Sequence, residues 1–245
     1  MLAGPDTPLP TMLIAVNYSF QAFGVAAEID TDLSRDQQKL FAALEKRADK
    51  LVRPLLVAKR AIEDYDLTKG SRLQARVEVG DAVLDRGIAN GRKRTGLALD
   101  GKPGLGVTHV FGATLSTLTR EKIALEPGRV LDAVGRFADV TAFSERASIA
   151  KDLTARAKTQ QKCLDDRDDG DKERNKLVGK GVVLVSAASL ELASMHGDLS
   201  SAFPRQKDYV DSFFYDVRPY ARPQTPQGGG TGGGGGGPGT GAAAT

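Results

Sequence analysis

One apolar stripe constrains the fold more than any other feature of this chain. Between residues 40 and 88, apolar side chains recur at steps of three and four residues, or at sums of such steps, and polar residues fill most of the other positions. This spacing is typical of a helix with one buried face. The stripe consists of Leu40, Leu44, Leu51, Leu55, Ala58, Ile62, Tyr65, Leu73, Val77, Leu84 and Ile88. A second stripe follows residue 144, so the sequence predicts long amphipathic helices.

Composition favours the same fold class. Aromatic residues make up 6% of the chain and tryptophan is absent, which suits a core of leucine, valine and alanine between helices. We therefore predict an all-α protein: an elongated bundle of about four long helices arranged as two helical hairpins, with short connecting helices. Residues 31–220 would form this bundle, 1–30 an apolar N-terminal arm, and 221–245 a disordered glycine-rich tail.

Local signals set the expected boundaries of the first hairpin. Ser34 and Gln37 have the spacing of a capping box, which predicts a helix start at this point. Pro54 falls inside the helix and is expected to kink it. The residues 68–71, Thr-Lys-Gly-Ser, have loop chemistry, so we expect a hairpin turn there and keep a single kinked rod as the alternative.

The second hairpin is expected after two short helices, at 107–125 and 129–140. A long helix from residue 144 would end in the acidic run 165–171, a solvated hairpin tip around Gly170. The last long helix, 172–195, carries few charges after Lys180, which predicts the most buried helix of the bundle. The glycines near 70 and 170 also hint at an internal duplication, a weaker hypothesis.

Residues 12–29 form an apolar segment whose structure the sequence leaves open. Apolar and smaller residues alternate as in a strand, but the same stretch could be a short helix. The segment contains Tyr18, Phe20 and Phe23. It either packs on its own domain or acts as an arm that docks on a neighbouring subunit.

The second candidate contact segment lies near the C-terminus. Residues 203–220 hold six of the 14 aromatic residues of the chain, including Phe213, Phe214 and Tyr215. This segment either caps the end of the bundle or anchors a contact between subunits, since aromatic side chains are enriched in buried interfaces.

The densest basic patch is Arg92-Lys93-Arg94. It could meet a protein partner or phosphates, but no aromatic residue interleaves it, so bases would have nothing to stack on. The net charge is only +3, which makes nucleic acid the weaker alternative.

The sequence predicts no catalytic, metal or cofactor site. His109 and His196 stand alone, and Cys163 is the only cysteine. The acidic run fails as a calcium loop because Arg167 and Lys176 occupy ligand positions.

We therefore expect a non-enzymatic structural or scaffolding protein that self-assembles through the N-terminal arm and the aromatic segment. Its partner would be a second copy or another assembly subunit. The alternatives are a helical adaptor that uses the basic patch, and a membrane-active protein that exposes 181–195. The single cysteine favours a cytoplasmic location, and no stable membrane insertion is expected because no clean span of about 20 apolar residues exists.

Overall fold

A computed structural model describes residues 2–100, 104–112, 123–140 and 142–217. The described residues form helices and no strand, which confirms the all-α prediction. The helices are α1 (Leu9–Ile29), α2 (Arg35–Tyr65), a π-helical turn (Asp66–Gly70), α3 (Ser71–Leu99), α4 (Val107–Phe111), α5 (Glu126–Gly135), a 3₁₀ turn (Arg136–Asp139), α6 (Arg146–Ala202) and α7 (Lys207–Asp211). The predicted tail 221–245, and part of the predicted helix 107–125, lie outside the described residues.

Two long antiparallel rods form the framework. The first is α2, the π turn and α3 in unbroken succession, and the second is the 57-residue α6, about 85 Å long at 1.5 Å per residue. Contacts between the rods show their direction: Arg47 reaches Glu191 near one end, and Arg94 reaches Glu145 near the other.

The first expected hairpin is therefore absent, and the chain follows the rod alternative. Gly70 has φ −59°, a right-handed helical value, so it does not reverse the chain. The hydroxyls that suggested a loop bond back to helical carbonyls instead: Thr68 Oγ1 donates to Asp64 O at 2.5 Å and Ser71 Oγ to Asp66 O at 2.7 Å. These two hydroxyls donate hydrogen bonds to carbonyls in and beside the π-helical turn, where the regular α-helical hydrogen-bond pattern is interrupted.

The second expected hairpin is absent for a related reason. The acidic run 165–171 lies in the middle of α6, where neighbouring cations neutralise it: Arg76 pairs with Asp166 at 3.0 Å and Lys172 with Asp169 at 2.8 Å. Gly170 is helical and buried, and it faces the first rod. Its small size reflects close packing rather than a turn.

The start of α2 was predicted correctly. Ser34 Oγ accepts a hydrogen bond from Gln37 N at 3.3 Å, and Ser34 N donates to Gln37 Oε1 at 2.8 Å, which completes the capping box. The helix then continues past Pro54, whose ring lies on the exposed side.

The proximal lobe is the end of the molecule where α1 joins the two rods. Its core buries side chains from α1, α2, the last part of α6 and the segment after it. Phe41 lies at the centre, with ring centroids 6.3 Å from Phe23, 5.8 Å from Phe203 and 5.0 Å from Phe213. Aromatic contacts at these separations add to the burial energy, so this lobe has a dense core.

The distal lobe is the opposite end, where α4, α5 and the 3₁₀ turn cover α3 and the start of α6. Phe111 packs edge-on against Phe137 at 5.6 Å. Their neighbours include the fully buried Leu84, Ile149 and Leu153 from the two rods.

The stalk is the part of the two rods between the lobes, approximately 63–80 of the first rod and 160–177 of the second. Its own buried cluster is small, consisting of Val77, Cys163 and Leu164. Glycines let the rods approach closely here: a Cβ on Gly170 would lie 2.4 Å from Leu73 Cδ1, and one on Gly80 would lie 2.1 Å from Gln160 Oε1.

Polar contacts cross the stalk at the π turn. Tyr65 Oη donates to the Gly170 carbonyl at 2.7 Å, a buried hydrogen bond. Arg174 donates two hydrogen bonds to the Asp66 carboxylate, from Nε at 2.6 Å and from Nη2 at 2.9 Å, and Lys69 pairs with Glu173. Since charged pairs at the surface add little each, the stalk relies on the sum of such contacts with the close glycine packing.

Candidate interaction surface

The N-terminal segment is a helix and belongs to the core of its own chain. Its buried residues Met12, Ala15, Val16, Ser19, Phe23 and Ala26 follow helical spacing, which resolves the choice between strand and helix. Phe23 is fully buried and Phe20 is partly buried, whereas Tyr18 remains 43% exposed. The segment is therefore part of the proximal lobe rather than an arm free to dock elsewhere.

The aromatic C-terminal segment caps the proximal lobe. Phe213 and Phe214 are 6% and 7% exposed and pack on Phe23, so they cannot serve as surface anchors in this conformation. Tyr215 is 39% exposed and contacts the Tyr18 ring at 6.0 Å. Six aromatic residues were predicted as partner contacts, three in each terminal segment. Of these, Tyr18 and Tyr215 are the two that lie together at the surface.

Beside them lies a shallow groove of about 390 Å³ between α1 and α7. Its walls include Val25 and Ile29, which are 46% and 74% exposed. Tyr209 closes one side and donates a hydrogen bond to Asp30 Oδ2 at 2.7 Å. Burial first, and this bond second, raise the pKa of Tyr209 well above its usual range, so the phenol stays protonated.

The basic patch does not form a continuous cationic surface. Arg94 is occupied by Glu145 at 2.8 Å. Arg92 is half-buried, with its Nη1 atom enclosed and lacking a hydrogen-bond partner, while Lys93 is exposed. The three side chains thus have different environments, which weakens the patch as a phosphate-binding surface.

An apolar surface that no described element covers lies on α6. We call it the outer stripe: Gly179, Val183, Ala187, Leu190, Ser194 and Gly197, which follow one another at helical spacing along the solvent side of the proximal half of α6. Val183 is 68% exposed and Leu190 is 74% exposed. Between Lys180 and Glu191 the helix carries no charge.

This surface overturns the expectation that residues 172–195 form the most buried helix. One face does enter the core through Val185, Ala188 and Leu192. Within the described ranges no element covers the opposite face, because α1 lies to the side of α6, where Leu9 approaches Gly181. The sequence showed the missing charges, but hydrophobicity alone could not tell a buried face from a contact face.

Membrane insertion gains weak support from length and composition. In the part of the chain that the structure describes, two helices, α1 and α6, contain an 18-residue window apolar enough to cross a membrane, and these windows are 33% and 22% buried. Core helices of soluble proteins and signal sequences satisfy the same criterion.

A buried carboxylate cluster, missed from the sequence, lies in the distal lobe. Glu126 at the start of α5 is 3% exposed and interacts with Asp81 and Asp85, which are one turn apart on α3. Burial, and then these two carboxyl groups, raise the pKa of Glu126 to about 9. Only the i, i+4 spacing of the two aspartates was visible in the sequence, because Glu126 comes from a separate element.

The two histidines each lie beside one carboxylate: His109 is 3.4 Å from Asp139, and His196 is 2.9 Å from Asp211. His196 Nδ1 is also 3.5 Å from the hydroxyl of Ser200, one turn further along α6, which is the outer limit of a hydrogen bond. Cys163 is a free, buried thiol in the stalk. Within the described residues, no three histidine, cysteine, aspartate or glutamate side chains are arranged to hold a metal ion.

Comparison with protein families, with characterised proteins and with solved structures gives no match for this chain. Function must therefore be inferred from the surface of the molecule itself.

Proposed function

We propose that this protein is a non-enzymatic structural scaffold whose copies associate through the outer stripe of α6. The observation that carries this proposal is the exposure of Val183 and Leu190, at 68% and 74%, on a helix face without charge. Neighbouring apolar side chains exposed in this way mark candidate sites of association. The proposal keeps the cytoplasmic location and the homo-oligomeric state expected from the sequence, but it moves the contact from Phe23, Phe213 and Phe214 to α6.

The shape of the molecule supports a scaffolding role. Two lobes lie at the ends of a stalk built from helices tens of ångströms long, so the chain fixes a distance between its ends. Among the described histidines, His196 lies beside Asp211 and the Ser200 hydroxyl, but the 3.5 Å between Ser200 Oγ and His196 Nδ1 is long for a nucleophile and its base. The thiol of Cys163 is buried. The exposed Tyr18–Tyr215 edge is a second surface at the same lobe.

The proposal is tested by comparing the wild type with the variant Leu190→Glu. Analytical ultracentrifugation measures the mass of the particle that each forms in solution. In a symmetric dimer each copy buries its own Leu190, worth about 1.5–3 kcal/mol per side chain, so the substitution should weaken association at least about a hundredfold. Leu67→Glu is the matched control, because Leu67 is 77% exposed on the π turn, away from the outer stripe.

The expected result is a dimer or larger assembly for the wild type and the control, and a monomer for Leu190→Glu. A wild-type chain that stays monomeric at high micromolar concentration contradicts the proposal. So does an equal loss of association in both variants.

A further inference from the structure

The two ends of the outer stripe differ in charge. Lys176 and Lys180 lie on either side of its first residue, Gly179, are exposed, and have no hydrogen bond or ion pair in the described part of the chain. At the other end are two carboxylates, Glu191 and Asp198, which share one cation, Arg47, at 2.6 Å each. The first end therefore carries about two positive charges and the second a net negative charge.

From this polarity we infer that two copies of the chain pair through the outer stripe with their α6 helices antiparallel, near a two-fold axis at Ala187. The inference rests on the proposed function, because it specifies how the same surface associates. Lys176 precedes Ala187 by 11 residues and Asp198 follows it by 11, so the antiparallel arrangement brings Lys176 of each copy to Asp198 of the other. Opposite charges across a contact fix orientation.

A parallel arrangement has the opposite electrostatic outcome. It would bring Lys176 and Lys180 of both copies together at one end, and the carboxylates together at the other. Like charges facing one another across an interface disfavour it. Residues 181–190 carry no charge and allow either orientation of the two helices. The charged residues at the two ends of the stripe therefore determine the orientation.

The alternation of small and large side chains along the outer stripe also suits the close packing of two helices. A Cβ added to Gly179 or Gly197 would meet no atom within 4 Å, so the space beside these positions is open. Small residues at Gly179, Ala187 and Gly197 leave hollows between the larger Val183 and Leu190. Helices pack by placing such ridges into such hollows, at axis separations of about 8–10 Å.

Cysteine cross-linking measures the orientation directly. In the full chain carrying Cys163→Ser, single cysteines are introduced as Ala187→Cys, Lys180→Cys or Ser194→Cys, and oxidised dimers are counted. Residues 180 and 194 are each seven residues from Ala187. In the antiparallel dimer, a cysteine at 187 should form a disulfide with the same cysteine of the second copy. Cysteines at 180 and 194 should form disulfides efficiently only when the Lys180→Cys and Ser194→Cys chains are mixed.

A charge reversal gives an independent readout. Lys176→Glu with Lys180→Glu should weaken dimerisation about tenfold or more at low salt, and less at high salt, because exposed charges are screened. The control is Lys151→Glu with Lys158→Glu, two exposed positions on α6 outside the stripe. Equal effects of the two double variants would overturn the role of the stripe ends.

The outcomes separate the inference from the proposal on which it rests. A wild-type monomer removes both. A dimer in which 180 and 194 each link to themselves is parallel, which overturns the inference and leaves the scaffold proposal standing. A dimer without any of these cross-links places the contact elsewhere. A monomer that binds phosphatidylcholine vesicles, and loses that binding with Leu190→Glu, makes the stripe a lipid contact and also overturns the inference.

Discussion

The proximal lobe and the stalk contain the same two rods but hold them together in different ways. In the lobe a third helix and the C-terminal segment enclose an aromatic core around Phe41. In the stalk, among the described residues, the two rods pack against each other alone, and glycines, a buried tyrosine hydrogen bond and ion pairs replace most of that core. The comparison shows that one amphipathic pattern can produce a thick bundle or a thin helix pair, depending on what is available to cover it.

The largest effect is expected from the lobe core. Phe41→Ala removes a fully buried ring that contacts three others, so the free energy of unfolding should fall by about 3–5 kcal/mol. Urea denaturation measures it. The matched stalk variant Val77→Ala, which removes less buried volume, should cost less than half as much; equal losses would show that the stalk has a comparable core.

The carboxylate cluster should make the distal lobe sensitive to pH, unlike the stalk. The pKa of Glu126 is about 9 in the folded chain and near 4.5 when unfolded, and that of Asp85 is also raised, chiefly by burial. A raised acid pKa stabilises the fold below the unfolded pKa, and this stabilisation is lost as pH rises through the folded value. Stability should therefore fall between pH 5 and 8, by on the order of 2 kcal/mol.

Glu126→Gln tests this pH dependence, since an amide does not titrate. Urea midpoints at pH 5 and pH 8 should converge in this variant, while the exposed control Glu28→Gln should keep the wild-type difference. A wild-type protein that is equally stable at both pH values would contradict a raised pKa for Glu126 in the folded chain.

Close packing in the stalk should respond to a single methyl group. Gly170→Ala places a Cβ 2.4 Å from Leu73 Cδ1 and 2.8 Å from Tyr65 Oη, so we expect a loss of about 1–3 kcal/mol. Gly96→Ala in α3 is the control outside the outer stripe, where a Cβ would make only an ordinary contact, 3.6 Å from Val107 Cγ2. It should stabilise the fold by about 0.5–1 kcal/mol, because alanine favours helix over glycine. Thermal denaturation distinguishes the two signs.

The smallest expected effect concerns the hydrogen bond at the π turn. Tyr65→Phe removes the donor to the Gly170 carbonyl, which should cost about 0.5–1.5 kcal/mol. Amide hydrogen exchange should rise around residues 65–71 and 168–172, and stay unchanged in the proximal lobe. Exchange that rises equally in both regions would mean that the two unfold as one unit.

The parts of the fold that sequence reasoning predicted depend on local chemistry. Ser34 and Gln37 are three residues apart and complete their own capping box, and the apolar spacing from Leu40 to Ile88 requires only helical geometry. The glycines at 70 and 170 were misinterpreted, because a glycine that ends a helix and one that admits a neighbouring side chain look the same in the sequence. Which applies depends on Leu73 and Tyr65, distant partners of Gly170.

The candidate site could be predicted only in part for the same reason. The charge-free run after Lys180 was visible, but its direction towards solvent follows from where α1 packs. The aromatic residues Phe23 and Phe213 suggested contact sites, and they do make contacts, although with each other inside the lobe. The buried cluster around Glu126 joins elements that are 41 residues apart, from Asp85 to Glu126, so no local pattern marked it.

The claim that the chain forms two continuous rods is tested most directly by distances between labelled positions. In a Cys163→Ser chain, fluorophores at Lys39→Cys and Leu97→Cys are 58 residues apart on one rod, about 87 Å at 1.5 Å per residue, whereas Lys39→Cys and Ser201→Cys lie at the same end of the antiparallel pair. Single-molecule energy transfer should be near zero for the first pair and high for the second. High transfer between 39 and 97 would show that the first rod folds back on itself, and would contradict the account.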